Sequence, residues 1–91
     1  MYYYVYILLS SKDNQLCTGY THDLKNRVEE HNKGMAESTK KRRPLQLVYF
    51  EGCISQKDAL RREKYLKSGS GEIYIRNRIK YFLSRNENPT G

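Results

Sequence analysis

Residues 2–9, YYYVYILL, form an aromatic and β-branched run without glycine or proline. Such a run is typical of a β-strand, and the polar stretch at 10–14 that follows it is typical of a turn. Residues 15–20, QLCTGY, have the pattern of a second strand returning beside the first. The amino-terminal part of the chain is therefore predicted to form a β-hairpin.

The register of this hairpin depends on the length of its loop. A loop of four residues, 10–13, would place Leu9 opposite Asn14. Counting inward from that pair brings Tyr6 opposite Cys17, on the same face of the sheet. We therefore expect these two side chains to be cross-strand neighbours.

Four further elements follow from the spacing of apolar residues, from capping residues and from breakers. They are a helix beginning near Asp23 and ending at Gly34, a strand over 45–51, a helix from about Ser55 to Lys67, and a helix over about 72–84. The order is ββαβαα, which predicts a three-stranded antiparallel sheet flanked by helices in one α+β domain. We expect the domain to span residues 1–84, with 85–91 as a flexible tail.

The composition limits the classes of protein to which the chain can belong. Its 91 residues include 17 Lys and Arg against 10 Asp and Glu, for a net charge of +7. This length suits one domain, and no run approaches the ~20 apolar residues that a membrane span needs. With no signal-peptide pattern and only two cysteines, we expect a cytoplasmic protein with free thiols. The charge favours a polyanionic partner such as nucleic acid, although it also serves solubility alone.

Several charged and polar residues have both a functional and a purely structural interpretation. Arg27 and His31 lie one helical turn apart, as catalytic groups or as a surface pair. Glu63 stands in a basic helix, where it is either a ligand or a partner of its cationic neighbours. Cys17 is either a nucleophile or, as a small residue in a strand, a buried side chain that fills space. The cationic stretch 40–43 contacts phosphate or keeps the protein soluble.

The motifs taken together resemble the GIY-YIG nuclease domain, and in particular its small stand-alone bacterial members. The segments that carry the resemblance occur in the family's order and spacing over roughly residues 2–71: YVYIL, CTG, THDLKNRVEEHNKG, PLQLVYFE and ALRREKYLKSGSG. Each segment alone is commonplace. Their joint occurrence is specific, and it agrees with the ββαβαα order obtained from the residues.

The resemblance implies a catalytic set of Tyr6, Arg27, His31 and Glu63, with Glu63 as the ligand of Mg²⁺ (or Mn²⁺). One lone carboxylate suits Mg²⁺, because this ion keeps most of its waters and takes phosphate oxygens as ligands. Arg27 would bind the scissile phosphate. Either Tyr6 or His31 would take the proton from the attacking water, and the sequence does not choose between them. Cys17 replaces the tyrosine of the family's second motif.

The resemblance also implies a hydrolase that cleaves phosphodiester bonds in DNA and takes part in DNA repair or recombination. Because no separate targeting domain is evident, we expect low intrinsic sequence specificity. The sequence does not determine the oligomeric state, for which a monomer is the default. Asn77 is a loose match to a further asparagine of some members. The cationic side chains expected to contact DNA are Lys40, Lys41, Arg42, Arg43, Arg61 and Lys64.

Two alternative functions stay open: a catalytically weak or inactive nucleic-acid-binding module that keeps the fold, and a protein-interaction module whose charge only maintains solubility.

Overall fold

The structure, a computed structural model, describes residues 1–85. Its elements are β1 (Tyr3–Ser10), β2 (Leu16–Thr21), α1 (Leu24–Asn32), β3 (Leu45–Cys53), α2 (Gln56–Leu66), α3 (Gly69–Arg78) and α4 (Lys80–Ser84), with a short 3-10 turn at Lys40–Arg42. The α+β class and the order ββαβαα are confirmed. The last helical region is divided into two helices that meet at Ile79. The flexible tail expected at 85–91 falls, beyond its first residue, outside the described residues.

The sheet is antiparallel throughout, and β1 lies at its centre between β2 and β3. The expected hairpin register was wrong by two residues, because Tyr6 pairs with Gly19 while Cys17 pairs with Leu8. An even shift leaves all of these side chains on one face of the sheet. Tyr6 and Cys17 therefore share a face without lying directly opposite each other.

The loop at the tip of the hairpin explains this shift. The Ser10 hydroxyl oxygen accepts hydrogen bonds from the backbone N–H groups of Lys12 (3.1 Å) and Asp13 (3.2 Å). Asn14 has a φ of 57°, in the left-handed region that asparagine tolerates better than most residues. These bonds stabilise a connection of six residues, 10–15, between Leu9 and its partner Leu16, two more than the expected four.

Two apolar clusters lie on opposite faces of the sheet, as the alternation of side chains along β1 requires. The first consists of Val5, Ile7, Ala59, Leu66 and Ile75, and it is covered by α2 and α3. The second consists of Tyr6, Leu8 and Leu45, with Cys17 and residues of α1 packed against it. Because α1 and α2 cover different faces, the candidate residues on these helices approach the sheet from opposite sides.

The ends of the helices largely follow the predicted capping residues. Asp23 accepts from the backbone N–H of Asn26, and Ser55 caps α2. The break expected at 68–71 is shorter than predicted, because Ser68 caps α3 and the next residue already begins that helix. No helix within residues 1–85 has the length and apolar character to cross a membrane.

Candidate active site

The hydroxyl of Tyr6 lies at the centre of a polar cluster between β1 and α1. Tyr6 is 2% exposed, and its oxygen is 2.8 Å from Nε2 of His31. The Nε–H of Arg27 donates to the same oxygen at 3.4 Å. The structure thus brings together three of the four residues expected to be catalytic.

One turn of α1 positions both partners of Tyr6. Arg27 and His31 are four residues apart on this helix, so they project from the same side. The Nη1 of Arg27 also donates to Glu30 at 3.1 Å, which orients the guanidinium at the edge of the cluster. His31 is 2% exposed, and its Nδ1 is 2.6 Å from the hydroxyl oxygen of Thr39. Both nitrogens of the imidazole therefore have partners.

The surroundings keep Tyr6 and His31 uncharged at neutral pH. Burial raises the pKa of Tyr6 above its ordinary value, and the hydrogen bond from Arg27 opposes this. Burial lowers the pKa of His31, and the nearby positive charge of Arg27 lowers it further, against the smaller effect of Glu30. A neutral phenol next to a neutral imidazole is an arrangement in which a proton can pass from the first to the second.

Gly19 provides the space in which the Tyr6 ring lies. A Cβ atom at this position would be 2.9 Å from Cε1 of Tyr6, and closer still to Cζ and the hydroxyl oxygen. Because β2 is an outer strand of the sheet, the ring extends across Gly19 toward the sheet edge. The glycine of the CTG segment is therefore required by the position of the tyrosine.

Gly19→Ala is expected to displace the Tyr6 hydroxyl from His31 and to destabilise the fold by about 1–3 kcal/mol, as overpacking of a buried site does. Chemical denaturation measures the free energy of unfolding. Gly69→Ala is the matched control, since nothing lies within 4 Å of the Cβ that it would add. Equal stability of the two variants would show that the Tyr6 ring can move aside freely.

Glu63 approaches this cluster from the other face of the sheet. It lies one turn after Ala59 and one turn before Leu66, the two buried residues of α2, so it is on the side of the helix that faces the sheet. Its side chain is 20% exposed, and Oε2 is 3.1 Å from Nζ of Lys67. Its charge contributes to the raised pKa of Tyr6, although the structure shows no hydrogen bond between these two residues.

The donor set around Glu63 fits a hydrated Mg²⁺ and does not fit a fully protein-ligated metal. Residues 1–85 contain no cluster of three or more His, Cys, Asp or Glu side chains able to hold a metal ion. Glu63 has one carboxylate oxygen outside its ion pair with Lys67. A single hard oxygen, supplemented by water and by substrate phosphate, is a common way for proteins to bind Mg²⁺.

The structure divides the cationic residues expected to contact DNA into those whose side chains bind other parts of the protein and those whose side chains are exposed without such contacts within residues 1–85. Arg42 is engaged: its Nε donates to Asp13 at 2.7 Å, and this contact holds the pKa of the Asp13 carboxyl at about 2. Arg43 donates from Nε to the carbonyl of Lys40 at 2.8 Å, and the Lys40 ammonium pairs with Glu37. The exposed cations outside these contacts are Lys41, Arg61 and Lys64.

Arg62, next to Arg61 on α2, has a structural role that the sequence did not reveal. Its Nε and Nη2 donate to the two carboxylate oxygens of Glu51, each at 2.9 Å. The guanidinium carbon also lies 4.7 Å from the ring centroid of Tyr74 and 5.3 Å from that of Tyr65. Arg62 therefore joins β3, α2 and α3.

Arg62→Met is expected to destabilise the protein by about 1.5–3 kcal/mol, because it removes charge-assisted hydrogen bonds from a partly buried carboxylate. Arg61→Met on the exposed side of α2 is expected to change stability by less than about 0.5 kcal/mol. Thermal or urea unfolding compares the two variants directly. The interpretation fails if both variants unfold at the same midpoint.

Two residues of the candidate site, Thr39 and Gly19, were not assigned a role from the sequence. Thr39 is 0% exposed and contacts His31, but a threonine in a polar loop carries no sequence signal for such a contact. Gly19 belongs to the CTG segment, so its position in the motif was recognised although its contact with Tyr6 was not.

Asn77, the loose family match, is exposed on α3 and has no hydrogen bond to the site within residues 1–85.

Comparison with known proteins adds independent information on the family. Residues 2–78 match the family model described as the GIY-YIG catalytic domain. A UPF0213 protein of Pediococcus pentosaceus is 45% identical over 85 residues, which cover 92% of this chain and 83% of that protein. A UPF0213 protein of Staphylococcus aureus is 46% identical over 75 residues, covering 81% of this chain and 90% of that protein.

A solved structure agrees with these matches. The solution NMR structure of a UPF0213 protein of Bacillus halodurans is 32% identical and has a TM-score of 0.54, covering 99% of this chain and 95% of that chain. These bacterial relatives extend little beyond the matched region, which confirms the resemblance to small stand-alone members. The chain belongs to the GIY-YIG family, a family of nuclease-type domains.

Proposed function

We propose that this protein is a divalent-metal-dependent endonuclease that hydrolyses phosphodiester bonds in DNA through a single domain of residues 1–84. The observation that carries the proposal is the Tyr6 hydroxyl, held 2.8 Å from Nε2 of His31 and 3.4 Å from Nε of Arg27. A buried phenol between a neutral base and a fixed cation is suited to proton transfer from water. Family membership supports the same activity.

The geometry favours Tyr6 and His31 acting as a pair in the proton transfer. Tyr6 is protonated at neutral pH, so it takes a proton from the attacking water only as its own proton passes to Nε2 of His31. The lowered pKa of His31 keeps the imidazole neutral, so one of its two ring nitrogens can accept a proton. The hydrogen bond from Arg27 stabilises negative charge that develops on the phenol oxygen during the transfer.

Arg27 is also suited to binding the scissile phosphate. Its Nε and Nη1 are engaged by Tyr6 and Glu30, while for Nη2 no hydrogen bond is found among the residues of the described range, 1–85. Nη2 would donate to a phosphate oxygen, which would then lie beside the phenol. A divalent ion held by Glu63 would supply positive charge for the leaving alkoxide.

Binding of DNA outside this centre is assigned to the exposed cations Lys41, Arg61 and Lys64, with Lys40, Arg42 and Arg43 shaping the loop beside them. Contacts of this kind recognise phosphates and carry no direct sequence information. Low intrinsic sequence specificity follows from such a surface. The affinity would fall steeply with increasing salt.

Cys17 favours a second candidate function, a DNA-binding module with little or no turnover. This cysteine stands where the family has its second tyrosine, and it is half-buried against the cluster that contains Tyr6. A thiol at this position cannot supply the hydrogen bond of a phenol to water or to the first tyrosine. The fold and the basic surface do not depend on that hydroxyl.

One experiment separates the two functions. The pure protein is incubated with supercoiled, branched and single-stranded DNA in Mg²⁺, in Mn²⁺ and in EDTA, while binding is followed by fluorescence anisotropy at several salt concentrations. Nicking that requires the divalent ion supports the nuclease. Salt-dependent binding without nicking in either metal refutes the nuclease and supports the binding module, and absence of binding refutes both.

A further inference from the structure

Thr39 is a buried polar residue that neither the family motifs nor the proposed reaction uses. It is 0% exposed and directly precedes the 3-10 turn Lys40–Arg42. Its hydroxyl oxygen is 2.6 Å from Nδ1 of His31, the nitrogen on the opposite side of the imidazole from Tyr6. Buried polar groups in this position commonly orient a functional histidine and select its tautomer.

We infer that Thr39 is a positioning residue: its hydroxyl oxygen accepts the Nδ1–H proton of His31 and so directs the Nε2 lone pair of the imidazole at Tyr6. The inference rests on the proposed function, in which His31 receives the proton of Tyr6. It assigns Thr39 no contact with substrate or metal.

The hydrogen bonds of Tyr6 favour this direction over its reverse. If the Thr39 hydroxyl donated to Nδ1, the neutral imidazole would carry its proton on Nε2 and point that proton at Tyr6. The Tyr6 oxygen would then receive two donors, because Arg27 already donates to it. The phenol proton would have no acceptor among the cluster residues, and His31 could not take it.

With Thr39 as the acceptor, one arrangement serves both charge states of His31. Before proton transfer, Nδ1–H donates to Thr39 while Nε2 accepts from Tyr6. After transfer, both ring nitrogens carry protons, and the bond from Nδ1 to Thr39 is unchanged. The imidazole therefore needs no rotation during the reaction, and the bond to Thr39 becomes stronger when the ring is charged.

The backbone around Thr39 holds its hydroxyl in place. Its N–H donates to the carbonyl of Ala36 at 3.1 Å, and its carbonyl accepts from the N–H of Arg42 at 2.8 Å. The Ser10 hydroxyl in turn donates to the carbonyl of Arg42 at 2.5 Å, which ties the turn to β1. Threonine adds its own restriction, because β-branched side chains have few rotamers. The same loop thus presents a cation outward at Lys41 and an acceptor inward at Thr39.

The test measures the tautomer of His31 directly. Protein labelled with ¹⁵N-histidine is examined by NMR above the pKa of His31, where the ring nitrogens of the neutral form have distinct shifts. We expect the wild type to carry its proton on Nδ1. A proton on Nε2 in the wild type would overturn the inference, whether or not any variant folds and whether or not the protein cleaves DNA.

Variants then test the role of the hydroxyl. Thr39→Val removes it at nearly constant shape and is expected to shift the tautomer population and to lower kcat about tenfold with little change in KM. Thr39→Ser, which keeps the oxygen, is expected to restore both. Thr18→Val is the matched control, because Thr18 is a half-buried threonine of β2 with no side-chain hydrogen bond shown within residues 1–85.

The outcomes separate this inference from the proposed function. An unchanged tautomer in folded Thr39→Val, or an equal loss of kcat in Thr18→Val, would show that Thr39 has no specific positioning role. A wild type that carries the Nδ1 proton and loses it in Thr39→Val supports the positioning of His31 even if no DNA substrate is cleaved. In that case the proposed reaction fails, and the hydrogen-bonded arrangement stands.

Discussion

Tyr6→Phe is expected to lower the rate of DNA cleavage by about 10²- to 10⁴-fold, the range that positioned proton transfer contributes to catalysis. The substitution removes only the hydroxyl between His31 and Arg27 and keeps the ring that packs over Gly19. Because the basic surface is untouched, affinity for DNA should remain unchanged. Single-turnover cleavage and anisotropy measurements with the same oligonucleotide separate these two effects.

Tyr81→Phe is the matched control, since Tyr81 is 82% exposed on α4 and should tolerate loss of its hydroxyl. A Tyr6→Phe variant that cleaves at the wild-type rate would exclude the phenol from the proton path.

The pH dependence of the wild-type rate tests the same path. His31 must be neutral to accept a proton, so the rate is lost as pH falls through its pKa, which burial and Arg27 place below the ordinary 6.5. The charged groups that face this imidazole are Arg27 and Glu30 of α1, and the titratable group across from it is Tyr6 of β1. We therefore expect full activity at pH 7 and an acidic limb below pH 6.5. An acidic limb centred above pH 7 would contradict a neutral His31.

Glu63→Gln is expected to reduce cleavage by about 100-fold or more, since charge stabilisation by a bound metal contributes several kcal/mol. The variant keeps the size of the side chain and removes the charge that would hold the ion. Its ion pair with Lys67 is a helical i,i+4 contact, whose loss should cost only a few tenths of a kcal/mol of stability. Cleavage assays across a Mg²⁺ titration measure the loss of activity. Isothermal titration calorimetry with DNA present measures the binding of the metal.

Glu72→Gln provides the control for this variant. Glu72 forms an equivalent i,i+4 ion pair with Arg76 on α3, on the surface of the protein. Both variants lose one negative charge and one helical ion pair, so any difference between them comes from the location of Glu63. Wild-type cleavage that persists in EDTA, or equal activity of the two variants, would refute a metal role for Glu63.

The fold was predictable from the sequence where local patterns decide it. The apolar and aromatic run of β1 and the caps Asp23 and Ser55 each produced an element close to its predicted place. The register of the hairpin was not predictable, because it depends on side-chain hydrogen bonds of Ser10 within the loop. The pattern of polar and apolar residues does not show which loop length those hydrogen bonds stabilise.

The candidate site divides in the same way. Arg27 and His31 could be placed together from helical spacing, and β1 supplied Tyr6. Thr39 could not be found, because its contact with His31 depends on how a polar loop folds back over α1. The engagement of Arg42 by Asp13 depends likewise on a contact across 29 residues of chain.

The central position of β1 has a consequence for the dynamics of the site. This strand is hydrogen-bonded on both sides, so its amides, including those of Val5 and Tyr6, should be among the slowest in the protein to exchange with solvent. The proposed proton-accepting phenol is thus attached to a strand that is hydrogen-bonded on both sides, while Arg27 and Glu63 lie on helices at opposite faces of the sheet. Adjustment to differently shaped DNA would then come from α2 and the exposed cations, while the hydrogen-bonded group of Tyr6, Arg27 and His31 keeps its geometry.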